Sequence, residues 1–311
     1  MAHEVETMAY AGAVPWHGLG KKVPADLSPD QMLKAAELDW DVIKYPAFAN
    51  INDSKVSIGW SALVRSTDNR ILDVVTNDWN PIQNSEAFNF FDEYCRAGDM
   101  EMHTAGSLKG GQIVWVLAKV KESFELFKGD VVESFLLFTN PHRFGQCIDI
   151  RFTPVRVVCN NTMSVALESK SDRMVKKNHR GVFNASEVKE KLGIATDKLA
   201  KYKEMAAFLG SKRYTEVNLK KYFTELFPSL SKNEEDKLSR GARLALDTIE
   251  VQPGAEFARG SWWQAFNTVT YLADHKLGRS NDTRLQSAWF GPNKNLKLKA
   301  LESAIEYAEA A

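Results

Sequence analysis

Two arginines, Arg151 and Arg156, bracket the dipeptide Thr153-Pro154, which is the arrangement an anion site at a helix start would use. Threonine is a good N-cap, and proline at the first helical position loses nothing, because its missing N–H would have no partner there. Onward from Val155, the residues Val158, Cys159, Thr162, Met163, Ala166 and Leu167 recur at helical spacing. Arg156, Asn160 and Ser164 form a polar line on the other side. A helix start carries free N–H groups and about half a positive charge. The spacing therefore predicts a phosphate-sized site at Arg151 and Arg156. The β-branched run from Val155 to Val158 also permits a strand, which would remove that site.

A basic stretch follows directly. Lys170, Arg173, Lys176, Lys177 and Arg180 outnumber Glu168 and Asp172, so a polyanion would meet concentrated positive potential here. Lys109 and Arg143 lie in turn-like segments that would line the same groove, and Phe144 and Trp115 would offer stacking faces if exposed. Other chemistry is poorly provided for. The six histidines show no metal-ligand spacing, and Gly18-Leu-Gly20-Lys-Lys22 lacks the spacer and the hydroxyl residue of a nucleotide loop. No nucleophile motif occurs. The expectation is no catalytic residue, no metal and no cofactor. Asp130, Glu133 and Asp149 are the carboxylates an enzymatic alternative would use.

The elements that must hold these residues read as α+β. Strand-like segments fall near 41 to 49, 56 to 65 and 70 to 76, and a helix capped at Asn84 or Ser85 runs to about Arg96. Strands near 110 to 120, 130 to 139 and 145 to 152 then lead into the helix expected from Thr153, giving an antiparallel sheet with a β-β-β-α core. Ser28-Pro-Asp-Gln opens a short capped helix. After about residue 168 helical periodicity dominates, with helices near 184 to 209, 214 to 227, 231 to 249, 261 to 275 and 294 to 310. The division expected is a sheet domain with an N-terminal arm over 1–168 and a mostly helical region over 169–311.

With 40 basic and 40 acidic residues the formal net charge is zero, so any polyanion site must be local. Cys95, Cys147 and Cys159 show no Cys-x-x-Cys and read as reduced core thiols. With no signal-like N-terminus and no long apolar run, a cytoplasmic protein without membrane spans is expected.

Several longer motifs are distinctive: Pro15 to Lys22, Asn80-Pro-Ile-Gln-Asn84, Thr104-Ala-Gly-Ser-Leu-Lys-Gly-Gly111, Val155-Arg-Val-Val-Cys-Asn-Asn-Thr162 and Trp263-Gln-Ala-Phe-Asn-Thr-Val-Thr-Tyr-Leu-Ala-Asp-His275. On these the chain resembles the phage/plasmid-like family known as domain of unknown function 932. The resemblance implies a phage or mobile-element origin and supplies no chemistry. The family's frequent His-Asp-Gly turn stands here as His142-Arg-Phe-Gly145, without the acid. In order of elements, the β-β-β-α run is similar to the core of Rad52-like single-strand annealing proteins. The expected function is thus non-catalytic binding of single-stranded DNA, with strand annealing in recombination and a homo-oligomer to hold the strands. The alternatives are a nucleic-acid-processing enzyme and a phage protein that binds a host or phage partner.

Overall fold

A computed structural model describes residues 5–12, 19–156, 161–162, 174–179, 184, 186, 195–229, 238–278, 287–288 and 291–311. The chain is mixed α+β and forms two compact units. One unit comprises Met1–Glu122, Ser134–Phe152 and Asp172–Gly193; the other comprises Ser123–Glu133, Thr153–Ser171 and Ile194–Ala311.

In chain order, the elements up to residue 97 are β1 (Val5–Tyr10), β2 (Lys21–Lys22), α1 (Pro29–Ala35), β3 (Val42–Ile51), β4 (Ser54–Arg65), β5 (Ile71–Thr76), α2 (Asn84–Asn89) and α3 (Asp92–Ala97). The strands β6 (Met100–Leu108), β7 (Ile113–Glu125), β8 (Val131–Pro141), β9 (Ile148–Arg156), β10 (Asn161–Thr162) and β11 (Met174–Lys177) follow. The large sheet has the order β10-β9-β8-β7-β6-β1-β2, with β11 also pairing β9, and the small sheet is β3-β4-β5.

Local chemistry accounts for several boundaries. Ser28 caps α1 in a reciprocal box with Gln31, and Pro29 occupies the first turn. The helix expected from Asn84 to Arg96 is instead two short ones. Gln83 is the N-cap of α2, its N–H donating to the Glu86 carboxylate at 2.7 Å. Asn84 is not spent as a cap because its side chain is engaged elsewhere, as described below. Gly106 on β6 is required by its neighbour: a Cβ there would lie 2.5 Å from the Thr7 carbonyl oxygen of β1.

The core of the first unit lies under α1, α2 and α3. It gathers Met32, Leu33, Leu38 and Trp40 with Leu63, Val75, Phe88, Phe91, Val116, Phe138, Ile148 and Ile150. Burying such side chains stabilises a fold by about 1.5–3 kcal/mol each, before the entropy of ordering them is subtracted.

One expectation fails at a decisive place. Thr153 to Arg156 do not begin a helix. They continue β9, where Arg156 pairs with Asn161 and Val155 with Thr162 of β10. The physical reason is the β-branching of Thr153 and Val155, which suits a pleated strand, together with a β10 partner that takes up the backbone groups a helix would have bonded internally. Residues 157–160 lie outside the described residues. The three strands of the expected β-β-β-α core are therefore present as β7, β8 and β9, but the helix does not start at Thr153.

The second unit is largely helical: α4 (Ala195–Ser211), α5 (Glu216–Leu226), α6 (Arg240–Thr248), α7 (Trp262–His275) and α8 (Pro292–Glu309). Thr215, Ser239 and Ser261 cap α5, α6 and α7 through their hydroxyls. Helix α7 is buried on nearly every side, so the Trp263-to-His275 motif is the packing axis of this unit. Trp262 stacks on Tyr307 with ring centroids 5.0 Å apart, and Tyr222 donates its hydroxyl to the Ala300 carbonyl. A buried ion pair joins Lys297 of α8 to Asp274 of α7 at 2.7 Å. Among the described residues no helix is long and apolar enough to cross a membrane.

Candidate nucleic-acid interface

The expected anion site does not form as drawn. Arg151 is only 3 % exposed, and its guanidinium meets the Asp149 carboxylate at 2.5 Å. Positions 149 and 151 are two apart on β9 and so share a face, which is why the acid finds the base. A buried, paired arginine offers nothing to a phosphate, and without a helix at Thr153 there are no free N–H groups to join it. Arg156 lies on β9, and Lys176 and Lys177 lie on β11, paired with Asp149 and Ile148 at the sheet margin. Lys170, Arg173 and Arg180 lie outside the described residues.

Lys109 and Arg143 lie in neighbouring loops. Lys109 sits in the β6–β7 turn at φ 54°, followed by Gly110 and Gly111 at φ 66° and 88°. Gly111 is needed on two counts: its positive φ, and Arg65 Nη1, which a Cβ would approach to 3.0 Å. The neighbouring loop, 142–146, is tied to this turn by the His142 N–H, which donates to the Gln112 carbonyl at 2.8 Å. Gln112 in turn donates to the Leu72 carbonyl of β5 at 2.7 Å, and the Phe144 N–H donates to Asp73 at 2.8 Å. Both basic loops therefore flank the small sheet.

That sheet and the 142–146 loop beside it carry exposed aromatic side chains. Its register sets Ile43, Val64 and Ile71 in one row and Tyr45, Ala62 and Val74 in the next. These rows share a face, opposite the one that sends Leu63 and Val75 into the core. Tyr45 is 49 % and Phe144 46 % exposed, and the Phe144 ring lies 5.3 Å from that of the half-buried Trp60. Trp115, by contrast, is buried in the core and cannot stack on a ligand.

Charges around this face are unequally available. Arg65 bonds both Glu6 and Asp68, and Arg70 also reaches Glu6. Asp68 is held well below the usual carboxylate range by Arg65. Arg143 and Lys55 make no ion pair among the described residues, so their charge remains available to a ligand. The roughly 860 Å³ cleft elsewhere in this unit is unsuited to a polyanion, because Asp26, Asp30, Asp92 and Glu101 line it and Arg96 is bonded to Asp92.

Behind the loop at 142, three polar side chains clamp the segment Asn80 to Asn84. Asn140 donates to the Ile82 carbonyl at 2.8 Å, and His142 Nε2 donates to Asn84 Oδ1 at 3.0 Å. The Asn84 amide group donates to the Leu38 and Trp40 carbonyls, so its oxygen must be the acceptor and His142 carries its proton on Nε2. His179 Nδ1 donates to the Asn80 carbonyl at 3.2 Å, and its ring stacks on Trp79 at 4.0 Å. Burial pushes both imidazoles down, His142 to about 3 and His179 to about 4. Both are neutral near pH 7. His142 ties the start of the loop that carries Arg143 and Phe144 to Asn84, while His179 holds the same clamped segment at Asn80, roles that metal-ligand spacing in the sequence does not signal.

The thiols need one correction. Cys147 is exposed rather than in the core, because it lies in the loop before β9, while Cys95 is half-buried and its thiol is pushed up to about 11 by burial. Cys159 lies outside the described residues. Among the described residues, no group of three or more His, Cys, Asp or Glu side chains could hold a metal ion.

The fold and this surface define an α+β protein whose accessible chemistry is an aromatic and aliphatic sheet face flanked by basic loops. The chain belongs to the family described as Domain of unknown function (DUF932), whose profile matches residues 71–289. That span contains β5, the clamp and both basic loops; the β3–β4 hairpin precedes it. No curated protein and no solved structure matches the chain.

Proposed function

We propose that this chain binds single-stranded DNA without making or breaking bonds, on the outer face of β3, β4 and β5, and that it serves strand annealing in phage or mobile-element recombination. The observation that carries the reading is the grouping of Tyr45, Trp60 and Phe144 on that face beside the unpaired Arg143. Single-strand binders join stacking rings to cations along the backbone, and each stacked base is worth about 1–3 kcal/mol. Lys109 from the neighbouring loop would supply a further phosphate contact. The host cytoplasm is the compartment this role requires.

The test is anisotropy of a labelled oligothymidine with the full chain at two salt concentrations. Tyr45→Ala and Phe144→Ala are expected to weaken binding by about 1–3 kcal/mol each. Arg143→Ala is expected to weaken it and to reduce the salt slope by about one. Wild-type protein that shows no salt-dependent binding to single strands refutes the reading. A second reading, docking of a protein partner, is favoured by the aliphatic side chains Ile43, Ile71 and Val74, which lie exposed on the same face.

A further inference from the structure

The β3–β4 hairpin runs past the core. Asn52 and Asp53 form its turn with φ values of 46° and 64°, the pairing of positive angles that a two-residue turn of matching twist requires. From Asn50 to Gly59 every residue is exposed. The register pairs Ala49 with Val56, Asn50 with Lys55 and Ile51 with Ser54. Alternation along the strands therefore puts Ala49, Ile51, Val56 and Ile58 on one side and Asn50, Lys55 and Ser57 on the other. Ile51 is 54 %, Val56 45 % and Ile58 47 % exposed. This is an amphipathic arm whose apolar side is left uncovered by the described residues.

We infer that a second copy of this chain covers it, the apolar sides of two arms packing face to face. A two-stranded ribbon alone is at best marginally stable in water, and burying one side against a further layer is what stabilises it. No charged side chain lies among Ala49, Ile51, Val56 and Ile58, and depletion of charge is characteristic of the centre of interfaces between identical chains. The zero formal net charge removes long-range repulsion between copies. These side chains leave roughly 300 Å² of apolar surface per arm; Phe48 pairs with Ser57 and so lies on the other side. Two arms supply a little over a third of the ~1,600 Å² of a standard interface, before the backbone and polar rim are added. That places the contact at the reversible end of the range. It is separate from the aromatic group at Tyr45, Trp60 and Phe144 and does not depend on nucleic acid.

The experiment is sedimentation velocity of the full chain over a range of concentrations, without nucleic acid. Wild-type protein is expected to rise from 35.0 kDa toward twice that mass as concentration increases. Val56→Lys with Ile58→Lys is expected to hold it at the single-chain mass with an unchanged circular dichroism spectrum, since both sites face solvent in one copy. Val56→Thr with Ile58→Thr keeps the β-branched shape and is expected to weaken assembly at least tenfold. A wild-type chain that stays single at 100 µM, or Lys and Thr variants that assemble as it does, overturns the inference. Assembly without single-strand binding would refute only the proposed function; single-strand binding by a chain that never assembles would refute only the arm.

Discussion

Lowering the pH from about 7 to about 5 is expected to destabilise the first unit through His142 and His179 in particular. Both imidazoles are neutral in the folded chain, with values pushed down to about 3 and about 4 from the ordinary 6.5. The unfolded chain takes up a proton at each as the pH falls below about 6.5, and the folded chain does not. Their contribution is therefore complete above that pH and is lost on acidification toward the folded values. The loss runs at about 1.4 kcal/mol per pH unit for each group, so near pH 5 the two together cost about 4 kcal/mol. Carboxylates held low, such as Asp68, begin to protonate only at more acidic pH, which leaves the interval from 6.5 to 5 to the histidines. The assay is urea unfolding of the full chain at the two pH values, followed by near-ultraviolet circular dichroism. His142→Gln with His179→Gln keeps a donor for the Asn84 oxygen and the Asn80 carbonyl but cannot titrate. The double variant should lose much less stability than the wild type over this interval. Equal losses in the two proteins would refute the assignment of neutral, clamping imidazoles.

Other outcomes follow from particular contacts. Gly106→Ala should cost about 1–3 kcal/mol, because the new methyl meets the Thr7 backbone rather than a side chain able to turn away; thermal melting checks this. Lys297→Met alone should cost about 3–5 kcal/mol in denaturant unfolding of the helical unit by stranding Asp274, whereas Lys297→Met with Asp274→Leu should recover most of it. Arg151→Ala should destabilise the first unit by a comparable amount and leave the salt slope of single-strand binding unchanged, in contrast to Arg143→Ala.

Much of the fold could be read along the chain because the signals were local. The capping box at Ser28, the turn between β4 and β5, the apolar run of β7 and the periodicity of the C-terminal helices each depend on residues within a few positions of one another. The segment at Thr153 was misread for the complementary reason. Its capping pattern and its β-branched residues point to different structures, and the strand partner that settles the matter, β10, is itself too short to be seen in the sequence.

The site was legible only in part. Lys109 and Arg143 are legible as residues of turns, but the approach of their loops and of Phe144 to β5 depends on hydrogen bonds from His142, Gln112 and Phe144 that span 30 to 71 positions. Tyr45 and Trp60 gave no warning, since alternation of apolar and polar residues is the same whether the apolar face is covered or bare. Composition and local pattern determined that this is a mixed α+β chain with several of its helices in the C-terminal half. Tertiary structure alone decided which arginines are neutralised by acids, which aromatic rings face solvent and which histidines are buried neutral, because each of these depends on what distant segments place against a side chain.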